Sequence, residues 1–120
     1  MSDKMYNLKK LNEISQGDQE FVHEMIVTFI ENVTVEISDI QLLKSTEDWV
    51  VIAEKAHKLA SNFAYLGADS MHDLAADIEK RVINDNNLTE IAEKTEKLCH
   101  DGTILINQLK KDMMHEDIDL

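Results

Sequence analysis

Proline is missing from this chain altogether, and glycine occurs only three times in 120 residues. Long helices can therefore run uninterrupted, and the few places that break them stand out. Aromatic residues are sparse and no run alternates at strand period, which excludes a β-rich fold. Cys99 is the sole cysteine, so an internal disulfide framework is impossible and a reducing compartment suits the chain. Positive charge is scarce too. Lys and Arg number 12 against 24 Asp and Glu, a formal net charge of −12. That balance excludes a surface built to follow phosphate backbones, so no nucleic-acid partner is expected, and docking to another protein should be local and apolar with charge at the rim. No apolar run approaches a membrane span, and Met1-Ser2-Asp3-Lys4 carries no apolar leader core. A soluble cytoplasmic protein with no membrane partner is expected. Neither G-x-x-x-x-G-K nor G-x-G-x-x-G is present to hold ATP, so no autonomous kinase activity is expected. No serine- or cysteine-based triad emerges either.

What remains is helical period. Five segments can be drawn. The first lies near Asn7 to Ile14, with Leu8, Leu11 and Ile14 at intervals of three. Gly17-Asp18 breaks and caps, and a long helix runs to about Lys44 on a stripe of Phe21, Met25, Phe29, Val33, Ile37 and Ile40. Ser45-Thr46-Glu47-Asp48 stops it and starts another, with Ser45 or Thr46 as N-cap. Asp69-Ser70 caps a fourth helix carrying Met71, Leu74, Ile78 and Val82. Asn84-Asp85-Asn86-Asn87 is a turn cluster. The last helix carries Ile91, Thr95, Leu98, Gly102, Leu105, Leu109 and Met113, then frays into Glu116-Asp117-Ile118-Asp119. Short connections make neighbours antiparallel. The expectation is one all-α domain over residues 1–120: an up-and-down antiparallel four-helix bundle with a short extra N-terminal helix as a lid.

The third helix holds the most informative stretch, Ala56-His57-Lys58-Leu59-Ala60-Ser61-Asn62-Phe63-Ala64-Tyr65-Leu66-Gly67-Ala68. Ile52, Ala56, Leu59, Phe63 and Leu66 repeat at intervals of four and three and define its buried stripe. His57 lies about 100° round the helix from Ala56, on the flank of that stripe. Its same-face neighbours are Ala53, Ala60, Ser61 and Ala64, all small. A histidine in such a clearing can be approached closely by another protein, and its neutral imidazole has a lone pair available near neutral pH.

This run resembles the signature of histidine-containing phosphotransfer (HPt) domains, A-H-x-L-K-G followed by a hydrophobic stretch and L-G. Ala56, His57, Leu59, Leu66 and Gly67 match, and Ala68, Leu74 and Glu79 fit what usually follows. Two positions depart. Ala60 stands where the family has lysine, which removes a cation near a bound phosphoryl group, and Ser61 stands where it has glycine. The resemblance implies that His57 accepts a phosphoryl group from the aspartate of one response-regulator receiver domain and passes it to another. Partners would be receiver domains and a hybrid sensor histidine kinase. The resemblance implies no cofactor bound by this chain; Mg²⁺ is expected in the partner receiver. A phosphoryl carrier need supply little more than an oriented histidine on a rigid element.

Other residues gain roles around His57. Glu54, one turn back, is a candidate to orient the second ring nitrogen or is plain surface charge. Lys58, about 100° away, can bend toward a phosphate in place of the missing lysine, whereas Lys55, about 160° round the other way, is poorly placed. Ser61 either bonds a phosphoryl oxygen or keeps the face small. A metallic reading competes, since Glu20-x-x-His23 and Glu54-x-x-His57 are similar to the two E-x-x-H pairs of di-iron bundles. Their heights along the bundle differ by about 15 Å, too far to share a metal pair. No metal site is expected. His23, His72, His100 and His115 read as solvent-side, and Trp49 and Tyr65 as packing residues. The expected function is a phosphorelay intermediate, a monomer and not an enzyme. The alternative is an interaction module that binds a receiver or kinase without carrying phosphate, which Ala60 keeps open.

Overall fold

Helix caps set the element boundaries. In the computed structural model, which describes residues 4–84 and 87–114, five α-helices and no strand are found among the described residues. Helix α1 is Lys9–Ser15 and ends at Gln16 in the left-handed region, with Gly17 also at positive φ. The Asp18 side chain then accepts from the Phe21 N–H at 3.1 Å and starts α2, Gln19–Ser45. Asp48 repeats the device for α3, Trp49–Tyr65, accepting from Val51. Ser45 and Thr46 are thus not its caps. They finish α2, their hydroxyls donating to carbonyls three residues back, and Glu47 at φ 55 reverses the chain between the two helices. Helix α4, Asp69–Ile83, follows an N-cap Ala68 that makes no side-chain cap bond, so neither Asp69 nor Ser70 caps it. The Asn87 side chain accepts from Thr89 and Glu90 to open α5, Leu88–Met114. The expected fraying beyond Met114 and the middle of the Asn84–Asn87 turn lie outside the described residues.

Apolar periodicity then selects which faces meet. Helix α2 packs on α3, α3 on α4, α4 on α5 and α5 on α2, so the four long helices close a ring. The interior of that ring takes Ile26, Ile40, Ile52, Leu59, Phe63, Ile78, Leu98 and Leu105, all essentially removed from water. Burying each such side chain is worth roughly 1.5–3 kcal/mol. On α2 the buried stripe enters at Val22 and Ile26 and not, as the pattern suggests, at Phe21 and Met25. Phe21-Val22 and Met25-Ile26 are adjacent apolar pairs, so two stripes about 100° apart fit the first turns equally well. Ile14 on α1 is exposed rather than buried.

Lengths decide where α1 sits. Helices α2 and α5 have 27 residues each, against 17 for α3 and 15 for α4. The longer pair overhangs the shorter one, and the N-terminal segment fills the step. Met5 N–H donates to Gln108 at 2.8 Å, the Tyr6 hydroxyl donates to Asp112, and Asn7 N–H donates to the Leu66 carbonyl at 2.8 Å. Glycines permit two close approaches, one of this segment and one between helices. A Cβ on Gly67, which sits at φ +63, would run into the Asn7 backbone, and one on Gly102 would lie 2.5 Å from Ile37 Cδ1 where α5 crosses α2.

Candidate functional site: a histidine held by a glutamate

Helix α3 presents its faces to three surroundings. Its apolar stripe looks inward. Lys55, on one flank, reaches Glu36 at 3.2 Å and Asp39 at 3.1 Å on α2. Hydrogen bonding to Asp39 is the main cause that lifts the Lys55 ammonium above its ordinary value. The opposite flank carries His57, turned toward α4. Its side chain is 68% exposed, and Nδ1 lies 2.9 Å from Glu79 Oε2 and 3.1 Å from Oε1.

Glu79 stands on α4 with a side chain 29% exposed. A carboxylate on Nδ1 takes the Nδ1–H as donor and leaves the Nε2 lone pair facing outward. One nitrogen is thereby committed to the protein and the other to whatever approaches. Glu54 does not play this part. It is exposed, and its side chain makes no ion pair or hydrogen bond among the described residues. Glu79 sits twelve residues after Gly67, and His57 ten before it. Folding the chain about that turn brings them level, a count from the sequence that would have found the pair.

Counting outward from this pair along two antiparallel helices sets Ala60 across from Ala76, Ala64 across from His72, and Ala53 across from Ile83. Ala64 and His72 do line one cleft with Lys9, Lys10 and Gly67. Ala53 and Ala60 are buried, Ala64 is half-buried and Ser61 is exposed. The small residues are therefore less an open clearing than a floor. Ala53 and Ala60 lie between the core stripe and the His57 flank, where they let α4 come close enough for Glu79 to reach the imidazole.

Lys58 is exposed and makes no ion pair among the described residues. His23 and His100 are exposed and His72 is partly exposed, the last two with Nδ1 beside Asp101 and Asp73. His115 lies outside the described residues. Trp49 packs against the core, while Tyr65 is partly exposed, stacked on Phe29 with ring centroids 5.8 Å apart and with Lys10 over its ring. Cys99 is buried, and burial pushes its thiol up. Among the described residues no three His, Cys, Asp or Glu side chains group as metal ligands, and no helix is long and apolar enough to cross a membrane.

The family model for the Hpt domain matches residues 24–117, which include His57, Glu79 and all of α3 and α4. The chain belongs to the Hpt domain family. Searches of curated proteins and of solved structures returned no match. As an Hpt domain the chain falls among the phosphocarriers of two-component phosphorelays, which carry out histidine phosphotransfer and interact with receiver domains and kinases.

Proposed function

We propose that this Hpt domain carries a phosphoryl group on Nε2 of His57, taken from and returned to receiver-domain aspartates in a phosphorelay. The observation that supports this most is the Glu79 carboxylate on Nδ1 of a mostly exposed imidazole. Nε2 attacks the phosphorus of an aspartyl phosphate; the N–P bond forms as the P–O bond breaks, and the carboxylate leaves with its electron pair. The ring then carries positive charge while keeping its Nδ1–H, and Glu79 opposes that charge from 2.9 Å. In the return step an aspartate carboxylate attacks the phosphorus, and the neutral ring departs in the tautomer it began with.

The rest of the machinery belongs to the partner. Phosphoryl transfer rests on alignment and charge neutralisation, and we assign the divalent cation, Mg²⁺, to the receiver. Ala60 offers no cation to the phosphoryl group, and Lys58 is the nearest candidate on this helix to replace it. Ser61 keeps the approach narrow-sided and small. The ring of α2–α5 is read as an antiparallel four-helix bundle with α1 as an extra element, forming a single domain that acts as a cytoplasmic monomer between a hybrid sensor kinase and response regulators.

The test is transfer from a panel of phosphorylated receiver domains with Mg²⁺ to the wild type and to His57→Gln. Acid-labile, alkali-stable label on the wild type alone is the expected result. Label on both variants removes His57 from the role. Ala60 favours the second reading, a docking module that carries no phosphate; receiver binding without label on either variant would select it.

A further inference from the structure

Three helices bring exposed apolar side chains to one end of the bundle, where α3 begins, α4 ends and α5 begins. Val50 is seven residues before His57 on α3, nearly the same direction round the helix and about 10 Å along it. Ile83 is four residues after Glu79 on α4, about 6 Å along. Leu88 opens α5. Their exposures are 67%, 73% and 55%. Beside them Trp49, Val50, Val82, Leu88 and Ile91 line a cleft of about 340 Å³. Single exposed apolar residues are ordinary, as Val35 and Leu42 are on the outer face of α2. A group drawn from three elements around a concave floor marks a contact surface.

The occupant follows from position. A standard interface takes roughly 800 Å² from each partner, a patch close to 30 Å across. Any domain that sets its reacting group on His57 therefore covers or borders residues 6–10 Å away along the same two helices. Charge narrows the chemistry further. Glu47 and Asp48 stand on the cleft rim, so an apolar side chain flanked by lysine or arginine complements it.

Resting on the phosphocarrier reading above, we propose that Val50, Ile83 and Leu88 form a second contact for the receiver domain that reaches His57. They seat an apolar side chain of that receiver and add to its affinity for this face. Contacts here act on docking and not on the transfer step, so they move KM and leave the saturated rate.

The experiment measures transfer from a phosphorylated receiver that labels the wild type, comparing Val50→Glu, Ile83→Glu and, as a control on an exposed position of α2 outside the patch, Leu42→Glu. The expected result is a rise in KM of roughly tenfold for the first two, an unchanged rate at saturation, and wild-type behaviour for Leu42→Glu. Equal KM values in all four proteins would overturn the patch while leaving His57 as carrier. A change in oligomeric state on Ile83→Glu with KM unchanged would overturn it in favour of self-association. Wild type that takes no label from any receiver overturns the carrier reading, and the patch with it.

Discussion

The imidazole of His57 and the carboxylate of Glu79 meet across the α3–α4 contact, with both carboxylate oxygens within 3.1 Å of Nδ1. The contact binds the ring's inner nitrogen and frees the outer one. Nitrogen chemical shifts of His57 should report the Nδ1–H tautomer in wild type and a mixture of tautomers in Glu79→Ala.

Loss of that orientation should cost rate. Glu79→Ala is expected to slow phosphoryl transfer by tenfold or more, with Glu79→Gln between it and wild type because its amide oxygen still accepts from Nδ1–H. His57 is mostly exposed and Glu79 only partly, so loss of the pair should change stability by no more than about 1 kcal/mol. Transfer kinetics and urea unfolding on the same three proteins check the two halves separately.

Ala60 is buried where α3 approaches α4. Ala60→Leu should wedge the helices apart, at a cost of about 1–3 kcal/mol. The same change should separate Glu79 from His57 and slow transfer. A variant destabilised by that amount yet transferring at wild-type rate would show that α4 does not position the ring.

Gly67 takes a positive φ against the Asn7 backbone, so a side chain there meets both backbone strain and a wall of main chain. Gly67→Ala should lower stability by roughly 1–3 kcal/mol and loosen residues 5–8 from the bundle. Urea unfolding gives the first effect, and faster amide exchange at Asn7, whose N–H bonds Leu66 O, gives the second.

Between α4 and α5, Asp77 receives Arg81 at 2.8 Å and Lys94 at 3.2 Å. The Arg81 hydrogen bond is the main cause holding the Asp77 carboxyl below its ordinary value. A carboxyl so lowered contributes stability above its unfolded-state value and loses it as pH falls through the folded one. Asp77→Asn should therefore cost up to about 1 kcal/mol at neutral pH, since the pair is partly solvated. Denaturation midpoints of the two proteins should converge as pH drops below the ordinary carboxylate range.

Helix order and the turn positions were legible because proline is absent and breakers are few, so Gly17 and Gly67 each marked a real boundary. The stripe on α3 was legible as well: Ile52, Ala56, Leu59, Phe63 and Leu66 are all buried. The entry of α2 was not, since adjacent apolar pairs at 21–22 and 25–26 make its phase ambiguous. Nor was the α3 cap, where four consecutive residues, Ser45 to Asp48, all have capping or first-turn chemistry. The histidine's partner escaped for a different reason. Glu54 is near in sequence, but Glu79 is near in space, and only the register of two helices about Gly67 tells them apart.

The central claim is best tested on the phosphorylated chain itself. With histidine-ring ¹⁵N labelling, NMR after transfer from a receiver should place the phosphoryl group on Nε2 of His57, with Nδ1 still protonated. Phosphoryl on Nδ1, or on any residue other than His57, would contradict it.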